Sequence, residues 1–301
     1  MPDSQWSTWS NYWGDAAYLA ERVLTIQELQ DYVDHKLPLT AGAKADPKSE
    51  RSRLRSVLAR RLMRAGRRRE ALQYFDDQRT RSAAEQYDRA LGRAKSWWRP
   101  RSTRAAAWFT AAKLARNSGM ELLGFEKEPD FAIWDGEFTP FTNSDEPKPG
   151  DPYVSADERK RVYASRPERD VRFQYRFTAV DEATKSADLL PSHSQAFAAV
   201  LCESTRWIID RQPKLAGEIY RRYLVQGAYV SWGRSFGQSC PQANFAAASS
   251  WRMAGRRMDH AGRHARAHPV SAGLLSAAVV ALLTWLLYYL RTRRLHAKQR
   301  Q

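Results

Sequence analysis

Three histidines near the C-terminal end of the chain have a spacing that could hold a metal ion. His260, His264 and His268 recur every four residues, so on a helix their rings would line one side, where Zn²⁺ or Cu²⁺ could bind. The alternative is a polar, basic segment beside a membrane, and Gly262 weakens the helix that a metal site would need. We favour this alternative, and the sequence predicts no metal and no cofactor.

The chain also lacks several motifs that carry catalytic or cofactor chemistry. It contains no Walker A loop for phosphate, no H-E-x-x-H zinc motif and no C-x-x-C-H haem motif. The stretch around Gly233 and Gly237 is too sparse in glycine for a dinucleotide fingerprint, and it follows no predicted strand. The sequence therefore predicts a protein that is not an enzyme and has no catalytic residue.

The densest basic zone lies between Lys48 and Arg104, with eighteen Lys or Arg residues against six acidic ones. Trp97 and Trp98 interrupt it, and arginine beside exposed aromatic rings can bind nucleic acid, an acidic protein or an anionic membrane. Nucleic acid is the partner we favour least, and a solvated helix surface in an arginine-rich chain is the alternative. The residues of this candidate surface are Arg67, Arg68, Arg69, Arg99, Arg101 and Arg104.

Helix signals dominate the chain, and no convincing run of strand residues is present. Thr25 and Glu28 form a capping box ahead of one helix, and Gly66 marks the end of another. Ser155 and Glu158 form a second capping box. The sequence thus predicts an all-α fold, with helices over residues 14–24, 26–37, 52–65, 67–77, 81–95, 102–117, 155–165, 172–190, 193–211 and 213–226.

Two of the predicted helix pairs carry residues that mark a tetratricopeptide repeat. Gly66, Ala71 and Phe75 have the spacing of its glycine, small and aromatic positions, which let the second helix pack closely on the first. Ala216 and Tyr220 match the small and aromatic positions of the pair around residues 193–224. The chain therefore resembles a degenerate tetratricopeptide-like α-solenoid of the bacterial envelope type, over about half of its length.

The resemblance departs from the repeat at several positions. Arg211 stands where the second pair should have glycine, Ala83 and Ala228 stand where each pair should close with proline, and the regular period is lost. What the resemblance implies is an irregular solenoid of helical hairpins with long aromatic-rich loops, a fold that binds other proteins. The alternative is an ordinary helical bundle in which Ala71 and Phe75 belong to the core.

A stretch of twenty-one residues near the C-terminus, 270–290, carries no charge and is apolar on all sides. A helix of this length spans about 30 Å, the thickness of the hydrocarbon core of a bilayer. The sequence therefore predicts a single transmembrane helix. Aromatic and basic residues at its end are expected to lie at the membrane interface, namely Trp285, Tyr288, Tyr289, Arg291, Arg293 and Arg294.

Composition shifts divide the chain into segments. The predicted order is an N-terminal helical segment (1–36), a linker (37–50), a helical domain (51–250) with an irregular insert at about 124–153, a basic juxtamembrane segment (251–269), the transmembrane helix (270–290) and a basic tail (291–301). A second irregular stretch is expected at about 227–245. The juxtamembrane segment and the tail hold much of the net charge of +16, as expected for segments beside anionic lipid.

The sequence does not decide the compartment of the helical domain. Cys202 and Cys240 would pair in an oxidising compartment, and otherwise Cys202 is a small buried residue. No signal peptide is visible at the N-terminus. Five arginines precede the apolar stretch and five Lys or Arg follow it, so charge does not decide the orientation in the membrane.

Together these features predict a single-pass membrane protein, of the bacterial inner membrane, whose helical domain is a non-catalytic scaffold or adaptor. Its expected partners are the lipid bilayer and an unidentified protein. The alternative function is a membrane-tethered binder of an anionic polymer, either nucleic acid or lipid headgroups, through the basic surface of residues 48–104.

Overall fold

The structure is a computed structural model that describes residues 16–37, 49–124, 150–165, 169 and 174–249. Within these ranges the chain forms helices and no strand, which confirms the predicted all-α class. The helices are α1 (Ile26–Lys36), α2 (Glu50–Arg64), α3 (Arg68–Ala71), α4 (Gln78–Lys95), α5 (Arg101–Leu123), α6 (Ala156–Ala164), α7 (Gln174–Asp188), α8 (Gln195–Ile208) and α9 (Pro213–Gln226). A π-helical turn (Leu19–Val23) and two 3-10 turns (Leu72–Tyr74 and Gly233–Ser235) complete them.

Side-chain caps fix the start of several helices. The Thr25 side chain accepts a hydrogen bond from the Glu28 backbone, and the Glu28 carboxylate accepts one from the Thr25 backbone, so the capping box ahead of α1 is complete. At α6 only half of such a box forms, where Ser155 Oγ accepts a bond of 3.0 Å from the Glu158 N–H. Because Ser49 caps α2, that helix begins at Glu50, two residues before the predicted start.

The segment after α2 departs from the predicted helix over 67–77. Gly66 has a φ of +79° and ends α2, as predicted, but α3 covers a single turn before the chain tightens into a 3-10 turn and becomes extended at Phe75. The ion pair between Arg55 and Asp76 holds this turn against α2, with Nε and Oδ1 2.9 Å apart and both side chains buried. Asp77 then caps α4, which therefore begins at Gln78.

The helix α5 is longer than the sequence predicts and occupies the middle of the packing. It continues past the predicted end at residue 117 through a kink at Ser118, whose φ of −127° is not helical. Beside the kink, a Cβ added to Gly119 would lie 2.4 Å from the Cβ of Tyr175 on α7. The absence of a side chain at Gly119 is therefore what lets α5 and α7 approach each other closely.

The larger helices pack in the order in which they follow along the chain. α4 contacts α5, α5 contacts α7, α7 contacts α8, and α8 contacts α9. α2 lies against α1, α3 and α5, while α6 packs on the π-helical turn. The largest fully buried side chains include Leu58 and Leu62 on α2 and Phe197, Leu201 and Ile208 on α8. All contacts described below lie within one compact unit, Met1–Ala246.

Several predictions concern residues outside the described ranges. These are the apolar stretch 270–290 with its interface residues Trp285, Tyr288, Tyr289, Arg291, Arg293 and Arg294, the histidines His260, His264 and His268, and most of the linker and of the 124–153 insert. Of the helices that the structure does describe, none has the length and apolar character needed to span a bilayer. The described residues also contain no cluster of side chains suited to a metal ion.

Candidate interaction surface

The turn that connects α4 to α5 exposes two tryptophans. Trp97 and Trp98 have 79% and 68% of their surface accessible, and their rings meet edge to face at a centroid distance of 6.0 Å. Backbone hydrogen bonds from Ser96 to Arg93 and from Arg99 to Ser96 hold the turn, and Pro100 then leads into α5. We call residues Ser96–Pro100 the tryptophan turn. The two adjacent exposed rings form an apolar patch, which makes the turn a candidate contact surface.

Positive charge surrounds the tryptophan turn. Between residues 89 and 120 the chain carries eight Lys or Arg and no Asp or Glu. Lys95, Arg99 and Arg101 are exposed close to the tryptophans. Arg104 instead folds back and donates from Nε to the carbonyl oxygen of Ala94, 3.1 Å away, which fixes the start of α5 against the end of α4.

The end of α7 and the last turns of α9 lie at the same end of the helix stack as the tryptophan turn. Contacts to Asp188, at the end of α7, show this. Arg101, in the first turn of α5, donates from Nη2 to the Asp188 carbonyl oxygen at 3.0 Å. Arg222, near the end of α9, donates from Nη2 to Asp188 Oδ1 at 2.7 Å. Exposed apolar side chains continue at this end, because Leu224 and Val225 of α9 have 60% and 77% of their surface accessible.

The helix α9 is apolar on two sides, of which only one is covered. Ala216, Ile219 and Tyr223 are buried at the spacing of a single helix face. Tyr220 and Leu224 lie about a third of a turn away from that face and are exposed, with Phe236 stacking partly over Tyr220 at a centroid distance of 5.1 Å. We call the row formed by Gly217, Tyr220 and Leu224, with the neighbouring Val225, the α9 stripe.

The six arginines of the predicted basic surface fall into two groups. Arg99, Arg101 and Arg104 belong to the tryptophan turn and the first turn of α5, whereas the other three surround α3 beside the middle of α4. Arg68 pairs with Asp88 of α4, with Nε and Oδ1 2.8 Å apart, and Arg69 Nε lies 3.9 Å from Oδ2 of the same carboxylate.

Arg67, the third arginine near α3, pairs with Glu70 at 2.5 Å and donates from Nη2 to Gln30 Oε1 at 3.0 Å. The bond from Arg67 holds the pKa of Glu70 below its ordinary value. The charge of this second group is therefore partly neutralised by neighbouring carboxylates, and the exposed positive charge that accompanies aromatic rings is concentrated at the tryptophan turn.

A cavity of about 540 Å³ opens between α2, α5 and α7. Arg61, Arg64 and Glu21 line it, and Arg64 Nη2 contacts the Glu21 carboxylate while its Nη1 donates to the Leu123 carbonyl oxygen at 2.6 Å. Burial lowers the pKa of Arg64 to about 10, so its guanidinium is still charged at neutral pH. Arg61 donates to the carbonyl oxygen of Ala20. These arginines connect the π-helical turn, α2 and α5. This structural role explains why they line the cavity.

Glu182 is a buried carboxyl group that the sequence prediction missed. Tyr87 of α4 donates a hydrogen bond of 2.6 Å to Glu182 Oε1, while Oε2 has no hydrogen-bond partner in the described part of the chain. Burial raises the pKa of Glu182 to about 7, although the bond from Tyr87 acts in the other direction. Burial raises the pKa of Tyr87 too. The sequence does contain a signal, because Glu182 falls in register with the buried Tyr175, Ala179 and Ser186 of α7.

Cys202 and Cys240 form a disulfide bond, the pairing that the sequence leaves undecided. Their Cα atoms lie 5.7 Å apart, and the bond ties α8 to the irregular stretch after α9. Gly237, with a φ of +81°, donates from its backbone N–H to Cys202 Sγ at 3.2 Å. Phe236 stacks on Tyr223 of α9 at 4.4 Å, so the irregular stretch lies against both helices of the last hairpin.

The same stretch contains a spacing that the prediction of a non-catalytic chain does not take into account. Gly233, Ser235 and Gly237 match the G-x-S-x-G pattern of the nucleophile elbow of hydrolases. That elbow requires a sharp turn between a strand and a helix, which holds the serine Oγ free for attack. Here the serine ends a 3-10 turn after α9, and its Oγ donates to the Trp232 carbonyl oxygen at 3.0 Å. The pattern is therefore present without its structural context in this part of the chain.

Most of the repeat-like residues are buried or end a helix, and Tyr220 is exposed. Gly66 ends α2, and Ala71 and Phe75 are buried, although the helix expected between them is interrupted. Ala216 is buried between α8 and α9, whereas Tyr220 has 38% of its surface exposed. Comparison of the chain with protein-family models, with curated protein sequences and with solved structures finds no match.

Proposed function

We propose that this protein is a non-catalytic, membrane-anchored adaptor whose helical domain binds another protein along the α9 stripe. The observation that carries the proposal is the exposure of Tyr220, Leu224 and Val225 on the last described helix of a stack in which each larger helix contacts the next. A terminal helix of a stack usually presents a polar outer face to water. An apolar one indicates a surface that another molecule covers.

The chemistry of the α9 stripe favours a protein segment with an apolar face of its own. Its apolar side chains project at the spacing of an amphipathic helix, and Gly217 at one end leaves room for close approach, since nothing lies within 4 Å of a Cβ added there. Arg221 and Glu218 are exposed beside the stripe and can set the register of a partner through polar contacts. The tetratricopeptide-like resemblance is consistent with this role, because stacked helix pairs bind proteins.

The membrane anchor in this proposal is the apolar stretch 270–290, with the helical domain on the side of the bilayer that is oxidising. The bond between Cys202 and Cys240 supports this side, since disulfides persist in the bacterial periplasm and are reduced in the cytosol. The basic tail would then face the cytoplasm and the basic juxtamembrane segment the periplasm, an orientation that charge neither favours nor opposes. The adaptor would hold its partner at the outer surface of the inner membrane.

Site-specific photo-crosslinking in cells tests the α9 stripe. A photoreactive phenylalanine analogue at position 224 should yield a discrete protein adduct, and the same analogue at the exposed Tyr163 of α6 serves as the control position. Adding Gly217→Glu to the position-224 protein should abolish the adduct, because the new carboxylate projects into the stripe without contacting the rest of the fold. Equal adducts at positions 224 and 163, or an adduct that Gly217→Glu leaves unchanged, would refute binding along α9.

The alternative function, a membrane-tethered binder of an anionic polymer, draws its specific support from the tryptophan turn. The dependence of binding on salt concentration distinguishes the two functions. Polymer binding through Lys and Arg should weaken on the order of tenfold or more between low and physiological salt, because binding releases condensed counterions. Partner binding along an apolar stripe should change little over the same range, and co-purification of the partner at both salt concentrations measures this.

A further inference from the structure

We propose that the tryptophan turn binds the surface of an anionic lipid bilayer, with Trp97 and Trp98 at headgroup level and Lys95, Arg99 and Arg101 facing lipid phosphates. This site is separate from the α9 stripe and does not depend on a protein partner there. It would give the helical domain a second attachment to the membrane, besides the predicted anchor at 270–290, and would fix the domain's orientation on the bilayer.

The two indole rings are suited to a membrane surface. Trp97 and Trp98 expose most of their surface to water, which is unfavourable for side chains of this size. An indole combines a broad apolar body with an N–H group, so it is most stable where one end is apolar and the other is hydrated. The interfacial layer of a bilayer offers this environment, and tryptophan is enriched there.

The charge at the turn favours an anionic surface. Lys95, Arg99 and Arg101 are exposed at or beside the turn, and no Asp or Glu lies between residues 89 and 120, so the turn repels cationic partners and attracts anionic surfaces. Each Lys or Arg close to an anionic membrane surface adds to this attraction. Asp188 is an acidic side chain at the same end of the helix stack as the tryptophan turn. It pairs with Arg222, which weakens its repulsion of lipid phosphates.

The two helices that support the turn favour contact with a flat surface. The tryptophan turn is the tip of a hairpin made by α4 and α5, so its side chains can reach a flat surface before the rest of the hairpin does. The tip is held firmly, because Arg104 bonds to Ala94 within the hairpin and Arg101 bonds to the backbone of Asp188 on α7. A rigid tip loses little conformational entropy when it binds.

These observations favour a bilayer over single-stranded nucleic acid. A nucleic acid strand is bound in a basic groove, with successive bases stacked on the faces of aromatic rings. Trp97 and Trp98 stand at 87° to each other at an exposed turn, so the two rings do not form a common stacking platform. Insertion into a lipid interface requires only that both rings protrude.

Oxidative footprinting of the full chain tests the proposal. The protein is reconstituted into lipid nanodiscs of phosphatidylcholine alone, or of phosphatidylcholine mixed with anionic phosphatidylglycerol, and exposed to hydroxyl radicals before mass spectrometry. Trp97 and Trp98 should be oxidised several times more slowly in the anionic discs. Tyr153 and Tyr163, which are exposed on and beside α6, should react equally in both discs and serve as internal references. Equal oxidation of the two tryptophans in both kinds of disc would overturn the proposal.

A pair of charge-reversal variants separates a specific site from general attraction. Lys95→Glu with Arg99→Glu should remove the protection of the tryptophans. Arg69→Glu with Arg79→Glu changes the net charge equally at exposed positions elsewhere and should leave the protection intact. If the control pair removes protection as well, the attraction belongs to the whole domain and the proposed site is wrong. Greater protection by single-stranded polyuridylate in neutral discs than by anionic lipid would overturn the proposal in favour of nucleic acid.

Discussion

Glu182 shows how one side chain can make the stability of the fold depend on pH. Its carboxyl group lies between α4 and α7 and keeps its proton up to a pKa of about 7, because burial disfavours the charge. In the unfolded chain the same group releases its proton near the ordinary value of 4.5. The native state therefore holds one proton more than the unfolded state between these values, and stability falls as the pH rises from 4.5 to about 7.

We expect Glu182→Gln to stabilise the protein above neutral pH. At pH 8 the variant should unfold with a free energy about 1 to 3 kcal/mol higher than the parent chain, because a neutral amide replaces a buried carboxylate and can still accept the bond from Tyr87. At pH 5 the two proteins should be nearly equal. Urea unfolding in mild detergent, followed by circular dichroism, measures both. Glu218→Gln at an exposed site of α9 is the control, and lower stability of Glu182→Gln at both pH values would contradict this account.

The tryptophan turn and Glu182 also mark the limit of sequence inference at the residue scale. Both tryptophans and the arginines near them stand out in the sequence, but their exposure depends on where the hairpin of α4 and α5 ends, which is a tertiary property. Glu182 was missed because charged residues are expected outside, even where the helical spacing places one on a buried face. The pairing of Arg68 with Asp88, across two helices, could not be read from spacing either.

At the scale of single elements, two helical glycines differ in whether the missing side chain is needed for packing. Gly119 lies where α5 and α7 touch, and a Cβ there would come within 2.4 Å of Tyr175. Gly92 lies on an exposed face of α4, and a Cβ there would have nothing within 4 Å. In both helices glycine costs backbone entropy. Only at Gly119 is that cost offset by closer packing.

We therefore expect Gly119→Ala and Gly92→Ala to change stability in opposite directions. Gly119→Ala should lower the free energy of unfolding by about 2 kcal/mol, because α5 and α7 must move apart. Gly92→Ala should raise it by about 0.5 to 1 kcal/mol, the usual gain in a helix interior. Thermal unfolding of both variants beside the parent protein gives the comparison. A stabilising Gly119→Ala would show that the two helices are not in close contact.

Element boundaries were predicted best where a cap or a breaker is written into the local sequence. The Thr25 box and Gly66 fix the start of α1 and the end of α2, as expected. The interruption after Ala71 was not foreseen, because it depends on the distant pairing of Arg55 with Asp76. The extension of α5 beyond residue 117 was missed for a similar reason, since its last turn is held by packing on α7.

At the scale of the whole molecule, the helical stack has one end at which exposed apolar and cationic side chains gather. The tryptophan turn, the end of α7 and the last turns of α9 meet there through contacts to Asp188. The proposed bilayer contact uses the tip of the hairpin of α4 and α5, and the proposed partner contact uses the flank of α9, whose exposed Leu224 and Val225 lie at the same end. A protein bound along α9 would then lie close to the lipid surface.

The last hairpin of the stack depends on a covalent link as well as on packing. Cys202 and Cys240 are 38 residues apart in the chain, and their bond fixes the stretch after α9 against α8. A crosslink of this span restricts the unfolded chain, and removing it should lower the free energy of unfolding by about 2 to 4 kcal/mol. Because Phe236 packs on Tyr223 from this stretch, loosening it should also uncover the apolar side of α9.

Reduction should therefore weaken the fold and partner binding together. We expect dithiothreitol to lower the urea midpoint of the parent protein to that of the Cys202→Ser, Cys240→Ser variant, which itself should not respond to the reductant. The adduct from position 224 should decrease in parallel, since the stretch that carries Phe236 no longer holds Tyr220 and Tyr223 of α9 in place. An unchanged midpoint after complete reduction would show that the bond contributes nothing to stability.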